Sequence, residues 1–185
     1  MAEWDEDALA LLRAAAYRRD PAAGLPLLAD RPLGPVLQYA GDVLVAALER
    51  DGPGAAGAVR LARECAAELT GRGLAGDAEL AAELAGALAG EPPELADAPV
   101  ELSMLGLLMD ADPAEGAQVV DLRTGDIGPD IAVGDEPRRW LMFWPQGPAG
   151  SAEASGSAEF AEEERRGRAR QWLAAHGFRS RPHFL

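Results

Sequence analysis

Lysine is missing from the chain, and arginine supplies all 17 of its basic residues. This absence excludes a lysine Schiff base and the lysine of a Walker A phosphate-binding loop, two common routes to catalysis. A GC-rich genome is the simplest explanation, because its codons favour arginine, alanine, glycine and proline over lysine. The missing lysine therefore narrows the possible reactions without indicating a function.

Cysteine and histidine, two frequent catalytic and metal-binding residues, are also scarce. The single cysteine, Cys65, cannot form a disulfide within the chain, and its alanine-rich helical surroundings predict a buried, inert thiol. The two histidines, His176 and His183, have no metal-binding partner at helical spacing, and a Gly-x-Ser-x-Gly nucleophile elbow is absent. The sequence thus presents no catalytic constellation and predicts no cofactor, although distant residues could still meet in the folded chain.

No hydrophobic run is long enough to cross a bilayer, which needs about 20 predominantly apolar residues. The most apolar stretch, residues 35–50, is shorter and contains Gln38 and Asp42. The first residues are acidic, whereas a signal or transit peptide begins with basic ones. Together with the single cysteine, these features predict a cytoplasmic protein without a membrane partner.

Basic residues are fewer than acidic ones, 17 against 31, and the net charge of the chain is −14. Nucleic acids and anionic membranes reward clustered positive charge, so neither is expected as a partner. The acidic block, residues 91–136, carries 12 acidic residues and one arginine, whereas residues 137–185 carry five acidic and eight basic residues. We expect these two parts to attract each other, within one molecule or between copies.

Hydrophobic periodicity predicts that residues 1–90 form an up-and-down helical array. The stretch 35–50 is apolar all round and is expected to be the central helix. Short loops rich in glycine and proline favour antiparallel neighbours. The other predicted helices span about residues 5–19, 55–69 and 77–88, with one helical turn at 25–28 and with Asp77 as the cap of the last helix.

A boundary is predicted at Glu91-Pro92-Pro93-Glu94, and residues 91–99 are interpreted as a proline-containing linker. Residues 100–185 are expected to form a small α+β region. It comprises a helix over 100–109, three short strands in an antiparallel β-meander, a flexible loop over 146–157 and a C-terminal helix through Ala175. The predicted fold class is therefore α+β, mainly α.

The three strands are predicted from β-branched and aromatic residues that lie between turn signals. The first covers residues 118–122, the second begins at Ile127, and the third is the aromatic stretch 139–144. Gly125 lies in the turn between the first two strands, at a position that requires a positive φ. The residues from Phe178 onward show no pattern typical of a fold.

Two segments resemble an uncharacterised bacterial family, UPF0158. The first is Val119-Val120-Asp121-Leu122-Arg123-Thr124-Gly125-Asp126-Ile127, which is similar to the family's Y-x-L-D-L-x-T-G-E-V strand. The second, residues 165–178, is similar to the family's closing R-x-x-A-x-x-W-L-x-x-x-G helix. The resemblance extends over residues 100–145 and 165–178, and the first 90 residues have no counterpart. It implies a shared fold element and no reaction, because no activity is established for the family.

Four carboxylates, Asp110, Asp112, Glu115 and Asp121, are candidate metal ligands because Mg²⁺ and Ca²⁺ prefer oxygen. Their spacing does not fit an EF-hand loop, which needs further ligands, a glycine at its sixth position and a glutamate at its twelfth. A solvated loop in which Pro113 ends a helix explains the same residues. A divalent-metal-dependent enzyme using this cluster is therefore an alternative function and not the favoured one.

Trp140, Phe143 and Trp144 form the richest aromatic cluster and are the candidate partner-binding residues. A strand that carries aromatic residues on both faces cannot bury both faces in a thin sheet. Aromatic residues that stay exposed would mark an interface, although packing in the core is their commoner role. We interpret the chain as a non-enzymatic protein-binding or regulatory module whose acidic block attracts a basic partner. A further alternative is a self-associating structural protein, in which the basic tail docks on the acidic block of another copy.

Overall fold

The computed structural model describes residues 1–136, 138–148 and 158–182. The chain divides into two compact units, Met1–Glu94 (unit 1) and Leu95–Leu185 (unit 2), which are described separately. Seven α-helices and five short strands lie in the described residues, so the predicted α+β, mainly α class is confirmed. Most of the predicted flexible loop 146–157, and also His183, lie outside the described residues.

Unit 1 is a helical array built around one central helix. Its helices are α1 (Glu6–Arg18), α2 (Pro21–Ala29), α3 (Leu37–Asp51), α4 (Ala56–Arg72) and α5 (Asp77–Ala89). Short 3₁₀ turns, Gly34–Val36 and Gly52–Gly54, lie at the two ends of α3. Helix α3 packs against each of the other four helices, and every residue from Leu37 to Leu48 is buried. The central position predicted for this stretch is confirmed.

The apolar sequence of α3 is interrupted by Gly41, at a point where another helix approaches closely. Gly41 lies directly against the side chain of Leu80 on α5, and a Cβ at Gly41 would collide with that side chain. Leu80 itself is fully buried. A glycine in a helix interior costs about 1 kcal/mol relative to alanine, so its presence here reflects the packing of α5 on α3.

Helix α2 is longer than the single turn predicted at residues 25–28. Asp20 caps its start by accepting a hydrogen bond from the Ala23 N–H at 3.2 Å, and Pro21 occupies the first turn, where no N–H is needed. Pro26 lies inside the helix without ending it. The prediction was too short because proline and glycine around Leu25 are typical of loops.

Asp77 has a different role from the helix cap predicted for it. Gly76 is the N-cap of α5, and Asp77 is the first helical residue. Its carboxylate accepts hydrogen bonds from Arg72 at 2.8 and 2.9 Å, from the Leu74 N–H at 3.0 Å and from the Gln38 side-chain amide at 3.0 Å. The carboxylate therefore ties the turn between α4 and α5 to the central helix.

Unit 2 combines two helices with two small sheets. In chain order its elements are β1 (Ala96–Ala98), α6 (Leu102–Met109), β2 (Gln118–Asp121), β3 (Ile127–Gly128), β4 (Trp140–Phe143), α7 (Ala158–Ala175) and β5 (Phe178–Ser180). Strands β2, β3 and β4 form one antiparallel sheet, as predicted, in the order β3-β2-β4. This order differs from that of a meander, because the connection after β3 returns the chain to the other edge of β2.

A second, two-stranded sheet uses residues for which no regular structure was predicted. Strand β1 pairs in parallel with β5, and Asp97 lies opposite Arg179. Residues 96–98 had been assigned to the linker 91–99, and residues from Phe178 onward to an unstructured tail. Both assignments are corrected by this pairing, which joins the two ends of unit 2.

The core of unit 2 lies between α6, α7 and one face of the three-stranded sheet. Its fully buried or nearly buried side chains include Leu102 and Leu105 from α6, Val120 and Phe143 from the sheet, and Leu173 from α7. The ring of Phe143 meets Trp172 of α7 edge to face, with ring centroids 5.5 Å apart. This contact fixes the Phe143 face of the sheet to α7.

Candidate functional site

The four carboxylates proposed as metal ligands do not converge on a common site. Asp110 accepts hydrogen bonds from Arg168 at 2.7 Å and from Arg165 at 3.3 Å. Asp112 caps the short 3₁₀ turn that follows it by binding the Ala114 N–H at 2.8 Å, and Glu115 is exposed. Within the described ranges no group of three or more histidine, cysteine or acidic residues is arranged to hold a metal ion. The described residues therefore add no support to the metal-enzyme alternative.

Asp121, the fourth candidate, is bound by an arginine at the start of β4. The guanidinium of Arg139 donates to both carboxylate oxygens, at 3.0 and 2.9 Å, and the Arg123 N–H donates to one of them at 2.9 Å. The hydrogen bonds from Arg139 lower the pKa of Asp121 from 3.8 to about 2, although burial opposes this shift. Asp121 is therefore ionised at neutral pH and already paired, and it is not poised to act as a general base.

We expect the Asp121–Arg139 pair to stabilise unit 2 in a defined pH range. Because the folded-state pKa of Asp121 is lowered, its contribution is complete above about pH 4 and is lost as the pH falls towards 2. The measurement is the free energy of unfolding of wild type and of Asp121→Asn at several pH values. The difference between them should be constant above pH 4 and shrink below it. A difference that does not change between pH 5 and pH 2 would contradict the assignment.

Arg139 also fixes the first residue of β4. Its guanidinium lies 4.4 Å from the centre of the Trp140 ring, a cation–π arrangement. The indole N–H of Trp140 is buried, and among the described residues it has no hydrogen-bond acceptor. The half-buried ring is therefore positioned by the arginine above it, which is in turn fixed by Asp121.

The register of the sheet separates the aromatic residues onto two faces. Directly opposed residues share a face, so Val120 and Leu141 lie with Gln118 and Phe143 on the face that packs on α7. The opposite face carries Met142 and Trp140 of β4. Trp144, which directly follows β4, continues this alternation and is 62% exposed, and Met142 is 57% exposed. We call Trp140, Met142 and Trp144 the outer β4 surface.

Phe143 does not belong to this surface, although the sequence analysis grouped it with Trp140 and Trp144. Its side chain is only 6% exposed, because the alternation of the strand directs it to the core. Met142 was missed, because only aromatic residues were considered as anchors. Strict period-2 alternation along residues 140–144 would have predicted Met142, and not Phe143, on the same face as Trp140 and Trp144.

Two further apolar side chains of unit 2 are exposed on α6. Met104 and Leu107 are 52% and 51% exposed and lie on the helix face opposite the buried Leu105. The chain leaving β4 reaches this helix, because the Gln146 N–H donates to the Met109 carbonyl at 2.9 Å. The large exposed apolar residues of unit 2 therefore occur on α6, at β4 and, as Val133, in the loop that precedes β4.

Negative charge predominates in the segment that contains the outer β4 surface. Residues 110–148 include eight acidic and three basic residues. The acidic residues of this region that are themselves exposed lie on its loops: Asp112, Glu115, Asp126, Asp130, Asp135 and Glu136. Glu136 is paired with Arg139 at 2.9 Å and with Arg123 at 3.7 Å, and the excess of acidic residues leaves the segment with a net negative charge.

The attraction expected between the acidic block and the basic tail occurs within one molecule. Glu101 binds Arg166 at 3.0 Å, and Asp97 binds Arg179 at 2.6 Å, in addition to the pairs that Arg165 and Arg168 make with Asp110. These arginines hold α7 and β5 on the rest of unit 2. Docking of the same arginines on another copy would require these pairs to break.

The remaining candidate groups belong to different units of the chain. Cys65 is buried in unit 1 as predicted, with its thiol near the Leu37 carbonyl. His176 is exposed at the end of α7, where its Nδ1 lies 2.8 Å from the Trp172 carbonyl and its ring stacks on the Trp172 ring.

No protein-family model matches the chain, and comparisons with curated proteins and with solved structures produced no match. The resemblance to UPF0158 stays a prediction. None of the described helices is both long and apolar enough to cross a membrane.

Proposed function

We propose that the chain is a non-enzymatic module that binds another protein through the outer β4 surface, and that the partner is basic. The observation that carries the proposal is the exposure of Met142 and Trp144 beside the half-buried Trp140 on one face of a sheet. Large aromatic residues at the centre of a contact supply most of the binding energy in many interfaces. We further propose a cytoplasmic location, which the lone buried Cys65 supports.

The surroundings of the surface suit a basic partner. The six exposed carboxylates on the loops would attract such a partner over a distance and orient it before contact. The apolar side chains would then exclude water from the contact. Charge would thus set the rate of association, and Trp144 and Met142 would set the rate of dissociation.

The surface is also held in place before any partner arrives. Trp140 is fixed through Arg139 and Asp121, and Phe143 anchors the same strand in the core. A preformed surface loses little conformational entropy on binding, so more of the contact energy appears as affinity. This supports a role in binding for β4.

Replacing Trp144 by serine should weaken capture of the partner by about 30-fold, because an interface tryptophan commonly contributes 2 kcal/mol or more. The measurement is a pull-down from native cell extract with the intact chain as bait, followed by titration of the captured protein against wild type and Trp144→Ser. Raising the salt concentration should slow association and leave dissociation nearly unchanged.

The matched control is Leu11→Ser in unit 1, which removes a side chain that is 61% exposed and is not part of the outer β4 surface. It should capture the same protein as wild type does. If Trp144→Ser, shown to be folded, retains the partner with unchanged affinity, the outer β4 surface is not the binding site.

A further inference from the structure

Strand β4 has one edge with no pairing strand among the described residues. It pairs only with β2, and the Leu122 N–H donates to the Arg139 carbonyl at 2.9 Å. This bond sets the phase of the antiparallel ladder, in which alternate residues bond to the neighbouring strand. The N–H and C=O groups of Leu141 and Phe143 therefore point at β2. Those of Trp140 and Met142 point away from it.

The two edges of the sheet differ in how they are protected. At the other edge, β3 has only two residues and is followed at once by Pro129, a short and interrupted edge that cannot pair easily. Strand β4 is twice as long and contains neither a charged residue nor a proline. Exposed edges of this kind are normally blocked, because they are templates for another strand.

The geometry points to an extended, basic segment of the partner protein that pairs with the free edge of β4 as a fourth strand. This inference rests on the proposed function and adds the conformation and chemistry of the bound segment. Its backbone would bond to Trp140 and Met142, and its apolar side chains would continue the outer β4 surface. Main-chain hydrogen bonds would supply affinity, and alternate side chains would supply selectivity.

Charge favours a basic segment over a second copy of this chain. Asp135 and Glu136 are exposed just before β4, and Glu136 is already paired with Arg139 at 2.9 Å. Beyond β4, the Gly147 N–H donates to the carbonyl of Ala111, the neighbour of the exposed Asp112, at 3.0 Å. Lysine or arginine side chains on the added strand would be attracted by the exposed carboxylates Asp135 and Asp112, which lie in the chain before β4 and beside the chain that leaves it. Two copies paired through β4 would instead bring two acidic surfaces together, each on a chain with a net charge of −14.

The test uses the full-length chain and a ten-residue peptide of alternating lysine and valine, blocked at both ends. We expect the peptide to bind and to slow hydrogen exchange of the Trp140 and Met142 amides by at least about tenfold, with the effect reduced by salt. A peptide with glutamate in place of lysine should bind at least about tenfold more weakly. N-methylation of four consecutive central residues, which removes backbone donors at both peptide edges, should have an effect of similar size.

A pair of variants tests the edge from the side of the protein. Met142→Pro removes an N–H that points away from β2, so the sheet keeps its own hydrogen bonds while the edge is blocked. Met142→Thr shortens the same side chain and keeps the N–H. Peptide affinity should fall about tenfold further in the proline variant than in the threonine variant. The N-methylated peptide makes the same test on the unaltered protein.

Several outcomes would overturn strand addition. They are no peptide binding at 1 mM, equal binding of the N-methylated peptide, and unprotected Trp140 and Met142 amides in the complex. A dimer in sedimentation that Met142→Pro abolishes and Met142→Thr retains would assign the edge to a second copy instead. The proposed function is separable, because it fails only if Trp144→Ser leaves capture of the partner unchanged.

Discussion

Replacing Gly125 with alanine should destabilise unit 2 by at least about 3 kcal/mol, because two costs coincide at this residue. Gly125 has a φ of +83°, in the left-handed region, where an L-residue costs roughly 1–2 kcal/mol. A Cβ at Gly125 would also collide with the Pro99 carbonyl. The obstacle is backbone, which cannot turn aside as a side chain can.

The contact with Pro99 explains why the strain cannot be relieved locally. Gly125 closes the turn after β2 through its N–H, which donates to the Asp121 carbonyl at 2.7 Å. Pro99 lies between β1 and α6, and its neighbour Val100 is fully buried in the core. A shift of the Gly125 turn would disturb the sheet, and a shift of the chain around Pro99 would disturb the packing of α6. We therefore expect unit 2 of the variant to unfold at a lower denaturant concentration than in the wild type.

Tryptophan fluorescence during denaturant unfolding measures this effect selectively. Three of the four tryptophans lie in unit 2, and a Trp4→Phe background leaves only those three. The control is Gly134→Ala, since a Cβ at Gly134 meets no atom within 4 Å and its φ is not positive. The control should change stability by no more than about 0.5 kcal/mol. Equal stability of the two variants would show that the Gly125 turn relaxes freely.

Gly125 also illustrates which features were predictable from sequence. Its turn was predicted because a glycine follows Arg123-Thr124 between two apolar segments, and the positive φ is confirmed. Helices α1 and α3 were predictable for a similar reason. Each contains several turns of apolar periodicity, and α1 has an aspartate cap and acidic residues in its first turn.

The pairing of β1 with β5 could not be predicted in the same way. Each strand has three residues, too few for period-2 alternation to be recognised. The two segments are about eighty residues apart, and neither contains a turn signal that would link it to the other. Their partners are set by the packing of α6 and α7, which is a tertiary effect.

The candidate site was predictable in part. The aromatic strand was located correctly, and Trp144 is exposed. The neutralisation of Asp110 and Asp121 by arginines was not foreseen, because Arg168 and Arg139 are 58 and 18 residues away in sequence. The carboxylates, which are close together in the sequence, were therefore candidate metal ligands, and only the folded structure shows that arginines pair with two of them.

Asp77→Ala should have the second large effect, destabilising unit 1 by about 3–5 kcal/mol, because it removes one partner of a buried ion pair. Arg72 would lose both of its hydrogen bonds to the Asp77 carboxylate. Gln38 is fully buried on α3, and its amide would lose the acceptor that Asp77 provides. Loss of a buried hydrogen bond of this kind adds to the cost of losing the ion pair.

Cys65 reports this change without interference from unit 2, because it is the only cysteine and is fully buried in unit 1. Its labelling rate by a thiol reagent under native conditions follows the population of opened molecules when reclosing is fast. We expect labelling of Asp77→Ala to be accelerated by roughly a hundredfold or more. Far-UV circular dichroism during denaturation provides an independent measure of the same loss.

The control for Asp77 is an ion pair that water already solvates. Glu64 lies 3.6 Å from Arg60 on the surface of α4, where both side chains are about half exposed or more. Exposed pairs of this kind contribute about 0.3–0.5 kcal/mol, so Glu64→Ala should change the labelling rate by only about twofold. The two variants remove the same kind of group and differ in burial and in the number of partners. If both label at the same rate, Arg72 and Gln38 find other partners and the buried network is not a determinant of stability in unit 1.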